Sequence, residues 1–258
     1  MIVYTACNTR YIPGAIALHN SFRRHCRGRF VVLFDGDDPS PLESRGMEVV
    51  VRPDSGLPVI PKTENRPDHT AAVHCYRFAI PELAEGDRAI YIDADALIVQ
   101  DLQPLFDLAF DEPVAATLSN SPIEKEITGP GAPRGLTGFI SSLMIFNIPE
   151  WHRQGVMEAC RRALMQSLSF KTGDQALLNY ALLNNWHRLP IETQCHVGHD
   201  TIRLYPPEKV FLWHFLGTNP WEEVPQELLD IDPRYAPGGS KQVARQEWRK
   251  YYDLHLDV

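Results

Sequence analysis

A single α/β domain, with a mixed but mostly parallel sheet flanked by helices and a C-terminal helical elaboration packed on it, is what the sequence predicts. Three observations carry the prediction. Apolar strand-like runs alternate with helix-patterned segments through about the first 120 residues, the sign of a sheet with helices on its faces. Those runs are almost continuously Val, Ile, Leu and Phe, as strands buried on both faces of a parallel sheet must be. After Trp151 the texture changes to helices, then to a stretch rich in Pro, Trp and His that ends near Trp221. The pattern is that of a Rossmann-like domain with a C-terminal addition.

The elements follow in order. Residues 2–6 form a strand, and residues 13–25 a helix with Pro13 at its start and apolar Ile16, Ala17 and Phe22 along it. Residues 29–34 and 47–51 are buried strands. Residues 53–68 hold Pro, Gly and charged residues with little periodicity, a long loop suited to a lid. Residues 69–83 are helical, and Ala89-Ile90-Tyr91-Ile92 is the central strand, running into Asp93-Ala94-Asp95. Strands follow at 114–118 and 143–146, and helices at 151–167, 174–184 (capped by Asp174) and 240–254. There is no internal repeat and no low-complexity tract.

Composition narrows the function. The 258 residues carry 25 Lys+Arg against 33 Asp+Glu, a net of −8, so no basic field gathers nucleic acid. With 44% hydrophobic and 22% charged residues the chain is globular rather than disordered. No apolar window approaches the ~20 residues a membrane span needs, and the N-terminus reads as a strand rather than a secretion signal. The five cysteines are scattered and form no C-x-x-C, which argues against a disulfide framework. A cytoplasmic protein is expected.

The chemistry begins at Asp93 and Asp95. Two apart at the end of a strand, their carboxylates project to the same side, where a hard divalent cation would hold them together. The same D-x-D also reads as an ordinary strand-to-turn transition, and His214, after Phe211-Leu212-Trp213, as an ordinary core histidine. A second cluster, Cys195-His196-Val197-Gly198-His199-Asp200, holds zinc-ligand types without the paired knuckles of a zinc module. No Gly-rich phosphate loop and no G-x-G-x-x-G is present, which counts against a P-loop enzyme or a dehydrogenase.

Five segments in order resemble glycosyltransferase family 8, the retaining sugar-nucleotide transferases of GT-A fold. They are Thr5-Ala6-Cys7-Asn8-Thr9-Arg10-Tyr11, His74-Cys75-Tyr76-Arg77-Phe78-Ala79-Ile80-Pro81, the D-x-D strand 88–102, Gly173-Asp174-Gln175-Ala176-Leu177-Leu178-Asn179, and His214-Phe215-Leu216-Gly217-Thr218-Asn219-Pro220-Trp221. The resemblance covers about residues 1–221, implying a GT-A domain there with 222–258 as an extension packed on it.

The resemblance implies that Asp93, Asp95 and His214 hold Mn²⁺ or Mg²⁺ against the donor diphosphate. It implies that Tyr11 stacks on the base, and that Asn8 and the backbone around Ala6 and Ala94 meet base edge and ribose. Arg77 would lie near donor sugar and diphosphate, and Gly217 would let backbone approach a phosphate. Asp174 and Gln175 would bind the sugar, Gln175 near the anomeric carbon; an amide there suits front-side attack better than a covalent intermediate. The donor expected is UDP-glucose or UDP-galactose, and the acceptor a glycan or other hydroxyl.

The chain departs from the family pattern at three places. Asn8 stands where an acidic residue is usual, Asn219 replaces the signature lysine, and Ile140 replaces an amide that meets the donor. Two other readings therefore stay open: a weak or inactive sugar-nucleotide-binding scaffold, and a nucleotidyltransferase or inverting sugar transferase on a similar fold. Residues 53–68, 128–138 and 191–204 are expected to bind acceptor. Trp248, Arg249, Lys250, Tyr251 and Tyr252 suggest weak peripheral membrane contact, without the basic amphipathic tail of a dedicated anchor.

Overall fold

The computed structural model describes residues 1–58, 60, 71–197, 205–215 and 217–254. Its strands are β1 (Ile2–Asn8), β2 (Arg29–Asp35), β3 (Glu48–Val51), β4 (Arg88–Ile92), β5 (Ala96–Ile98), β6 (Val114–Pro122), β7 (Ile127–Thr128), β8 (Thr137–Asn147), β9 (Ser169–Phe170), β10 (His187–Leu189), β11 (Gln194–His196) and β12 (Leu212–His214). Seven of them form one sheet in the order β10-β6-β8-β4-β1-β2-β3. All pairs are parallel except those made by β8, which runs antiparallel to both β4 and β6. The architecture is the mixed, mostly parallel sheet flanked by helices that the sequence predicts.

Alternation along the central strands feeds two cores. Tyr4, Val31, Leu33 and Tyr91 pack on one face, while Val3, Val32, Phe34, Ile90 and Ile92 pack on the other. Each core contributes apolar burial at about 25 cal/mol per Å², so the sheet is fixed from both sides and its C-terminal edge is a rigid platform. Ligands of such sheets gather at that edge.

Three features shape the edge. First, β8 is bulged: Ala116 pairs with Met144, but the next residue, Thr117, pairs with Ile140. The bulge takes the backbone groups of Ser141 out of the β6–β8 ladder and leaves them for side chains. Second, a small sheet, β11-β12-β5, follows the D-x-D turn, with β12 antiparallel to β5 so that His214 sits opposite Ala96. Third, residues 71–83 are not one helix. A 3-10 turn, Tyr76–Ala79, separates the helices Ala71–Cys75 and Ile80–Leu83. Pro81 has no N–H to bond to the carbonyl four residues back, which suits a break there.

Other boundaries shift for similar reasons. The expected helix 151–167 is two helices, Ile148–Arg153 and Val156–Leu164, divided at Gly155 with φ 62°. Asp174 is not a helix cap. Gly173 takes the N-cap position with no side-chain bond, and Asp174 turns instead to Arg77. Of the loop 53–68 expected to act as a lid, residues 59 and 61–68 lie outside the described residues.

The C-terminal helix Ser240–Tyr252 packs on the helix Ile12–His25 and on the small sheet, through Ala17, Leu97, Phe215, Ala244 and Trp248. Trp248 is 3% exposed, 5.7 Å from the Trp221 ring and 5.0 Å from that of Tyr252. Trp248, one of the five residues behind the expected membrane contact, is thus spent on packing and faces inward. Among the described residues no helix is long and apolar enough to cross a membrane.

Candidate active site

The twelve residues singled out above line one cleft of about 580 Å³ at the C-terminal edge of the sheet: Ala6, Asn8, Tyr11, Arg77, Asp93, Ala94, Asp95, Asp174, Gln175, His214, Gly217 and Asn219. A cleft of this size suits a sugar nucleotide.

Arg77 organises its floor. The side chain is 3% exposed, delivered by the 3-10 turn, and its plane lies 4.4 Å over the Tyr91 ring. Nη2 donates to Asp93 Oδ1 at 3.0 Å, Nη1 donates to Ser141 O at 2.7 Å, and Nε sits 3.0 Å from Asp174 Oδ2. One buried guanidinium thus binds two carboxylates and the bulge of β8. Burial alone would discharge it, but Asp174, Tyr91 and Asp93 around it hold its pKa above the usual arginine value.

Asp93, Asp95 and His214 stand at one end of this floor. One ligand atom from each lies within 4.8 Å of the others. Asp93 Oδ1 already accepts from Arg77 and from Tyr91 Oη at 2.7 Å, which fixes the carboxylate's orientation. Burial pushes its pKa up, and Arg77 together with His214 brings it net below the usual carboxylate range, so it is an anion. His214 Nε2 is 3.3 Å from Asp95 Oδ1, and Nδ1 is buried with no hydrogen-bond partner among the described residues. Burial would discharge the imidazole, whereas Asp95 raises its pKa: the two carboxylates attract positive charge to this spot. Two carboxylate oxygens and one imidazole nitrogen, three donors in all, fit a hard divalent cation, Mn²⁺ or Mg²⁺. The small sheet makes the triad, since pairing of His214 with Ala96 and of Phe215 N with Asp95 O (2.9 Å) brings the histidine beside the D-x-D turn.

At the other end, Gln175 is held on both sides. Its Oε1 accepts from Ser141 N at 3.2 Å, and its Nε2 donates to Glu126 Oε1 at 3.2 Å. Glu126 is 4% exposed and also accepts from Thr172 Oγ1 at 3.1 Å; burial raises its pKa. The amide is therefore locked, carbonyl toward the bulge. Sequence reasoning missed Glu126, Ser141 and Tyr91. Tyr91 was visible, because on a strand it must share a face with Asp93; Glu126, in a four-residue helix, carries no local signal.

Along the remaining wall, Asn8 Oδ1 accepts from Arg10 N at 3.1 Å and closes the first turn. Tyr11 meets the Trp221 ring edge-on at 5.4 Å, beside the Asn219 side chain. Gly217 adopts φ 90°, a conformation that glycine takes without strain. Ile140 lines the cleft as expected from its position.

Of the cluster at 195–200, Cys195 is fully buried and His196 bonds to Gln194, while His199 and Asp200 lie outside the described residues. Adjacent strand residues face opposite ways, so Cys195 and His196 do not converge. All five cysteines are buried and form no disulfide, and burial pushes the Cys7 thiol up.

Comparison with known proteins gives the same picture. The sequence model of "Glycosyl transferase family 8" matches residues 2–224. Glycosyltransferase GlyB of Streptococcus pneumoniae serotype 4 is 26% identical over 160 residues, covering 61% of this chain and 34% of GlyB. Glycogenin of Komagataella phaffii is 26% identical over 236 residues, covering 86% of this chain and 51% of that protein. The chain thus spans a third to a half of the length of these relatives. Among solved structures, galactosyltransferase LgtC in complex with donor and acceptor sugar analogues superposes with a TM-score of 0.69 at 16% identity, over 100% of this chain and 98% of that one. That likeness shows a shared GT-A fold.

Proposed function

Because the chain belongs to glycosyl transferase family 8, we propose that it moves a hexose from a UDP-linked sugar to a hydroxyl acceptor, with retention at the anomeric carbon. One observation carries the reading: Asp93, Asp95 and His214 converge in the same cleft as a Gln175 amide locked from both sides. Residues 1–221 would be the transferase domain, with 222–258 packed on it.

Asp93, Asp95 and His214 would hold Mn²⁺ or Mg²⁺. When bound, the cation supplies charge neutralisation to the departing diphosphate. Arg77 and Tyr91 keep Asp93 ionised and oriented for that task. Tyr11 offers an aromatic wall to the base, and Asn8 with the backbone at Ala6 and Ala94 meets base edge and ribose. Asp174 and Gln175 present polar groups to the sugar, Gln175 beside the anomeric carbon. An amide is a weak nucleophile. The neighbouring carboxylates are engaged, Asp174 by Arg77 and Glu126 by Gln175 and Thr172, which favours attack from the leaving-group face over a covalent intermediate. A glycan acceptor and a cytoplasmic location complete the proposal.

Titration calorimetry with UDP, GDP, ADP, UDP-glucose and UDP-galactose, each with Mn²⁺ or with chelator, tests it. Metal-dependent binding of the uridine compounds, followed by an α-linked product from an α-linked donor, is expected. Binding without turnover of any acceptor would favour the scaffold reading, which Ile140 on the cleft wall supports. A product of inverted anomer, or nucleotidyl rather than sugar transfer, would favour the third.

A further inference from the structure

Among the described residues, the end of the cleft beside the triad is short of positive charge. Asp93, Asp95 and Asp174 line it, and Arg77 is spent on Asp93, Asp174, Ser141 O and the Tyr91 ring. Lys171 lines the opposite end of the cleft, away from the triad, anchored there by its backbone N–H, which donates to Glu126 O at 2.7 Å. The loop beside the metal triad, Gly217-Thr218-Asn219-Pro220-Trp221, brings no cation, and Asn219 is 4% exposed and turned to Tyr11. A diphosphate at the triad would add negative charge that one divalent cation offsets only in part.

The geometry points to where the balance comes from. A Cβ at Gly217 would lie 3.6 Å from Lys241 Nζ, so an ammonium from the C-terminal helix stands against the bare backbone of the cleft wall. The Lys241 side chain is 13% exposed. Its ammonium donates to Tyr235 Oη at 3.1 Å and lies 4.5 Å over that ring. The one carboxylate within 4.0 Å among the described residues, Asp232, is already forked by Arg234 at 2.8 and 2.7 Å. An ammonium has three donors, and these contacts do not exhaust them.

The placement is also costly in a way that an anion relieves. Lys241 sits in the first turn of a 13-residue helix, at the positive end of its dipole, and no acidic residue stands in that turn. Beside it Ser240 is 4% exposed with a hydroxyl that has no hydrogen-bond partner.

We propose that Lys241 is the cationic contact for the diphosphate of the donor, reached across Gly217 from a helix that lies beyond the matched residues 2–224. This rests on the nucleotide-sugar reading of the cleft. Gly217, by lacking a side chain, leaves the ammonium within reach of a phosphate oxygen, and Tyr235 keeps it aimed there.

Calorimetry of wild type, Lys241→Gln and Lys241→Arg with Mn²⁺ and UDP, UMP or inorganic pyrophosphate tests the assignment, with melting temperatures as the folding control. Lys241→Gln should weaken UDP and pyrophosphate about ten- to a hundredfold, weaken UMP less, and flatten the salt dependence of UDP binding. Lys241→Arg, which keeps the charge, should restore most of the loss. Wild-type UDP binding that Lys241→Gln leaves unchanged overturns the assignment while the nucleotide reading stands. A loss in Lys241→Gln that arginine does not repair overturns it too, since charge is then not what was removed. Wild type that binds none of the probes overturns the nucleotide reading itself, and this proposal with it.

Discussion

Tyr91 and Asp93, two residues apart on the central strand, bond to each other: the phenol donates to Asp93 Oδ1 at 2.7 Å while Arg77 takes the same oxygen at 3.0 Å. The strand that carries a candidate metal ligand therefore also carries the group that aims it. Groups of this kind usually matter to affinity nearly as much as the ligand. Tyr91→Phe should keep the ring under Arg77 and the fold, and weaken Mn²⁺ binding about tenfold, measured by calorimetry. Asp95→Ala should abolish metal-dependent donor binding altogether.

Arg77 joins two carboxylates and a carbonyl in a buried place, so removing it leaves unpaired charge. Arg77→Met should lower stability by about 3–5 kcal/mol, read from denaturant melts. An unchanged midpoint would show that water reaches Asp93 and Asp174 in place of the guanidinium.

Glu126 holds one side of the Gln175 amide. Glu126→Ala frees one side of the amide, so turnover should fall about ten- to a hundredfold with little change in donor KM, and Glu126→Gln should retain part of the rate. An equal rise in KM would mean that Glu126 serves binding instead.

His19 predicts a pH dependence of stability. Burial, with Arg23 nearby, lowers its pKa from 6.5 to about 4, and its Nδ1 has no partner. The fold favours the neutral ring. Its contribution is present above the unfolded value and is lost as pH falls from about 6.5 toward 4, about 3 kcal/mol in all. His19→Leu should remove that slope from melts taken across this range.

Much of the fold is legible in the sequence because it is local. Near-continuous apolar runs disclose β1, β2 and β4, and the turn after β4 discloses both aspartates. The small sheet is not legible: β5, β11 and β12 have three residues each, and only their mutual pairing makes them strands. The bulge of β8 is likewise a property of its two neighbours rather than of its own residues. Hence Asp93 and Asp95 can be proposed from pattern, while His214 enters through resemblance and Glu126 and Lys241 only through tertiary contact. Trp248 shows the converse error, since an aromatic in a charged helix can be a core residue of a neighbouring layer.

The pairing of β5 with β12 also has a consequence for biosynthesis. Both aspartates leave the ribosome long before the histidine strand that completes the cluster. A nascent chain would carry an open pair of acids, unable to grip a cation with three ligands, until β12 has emerged and zipped onto β5.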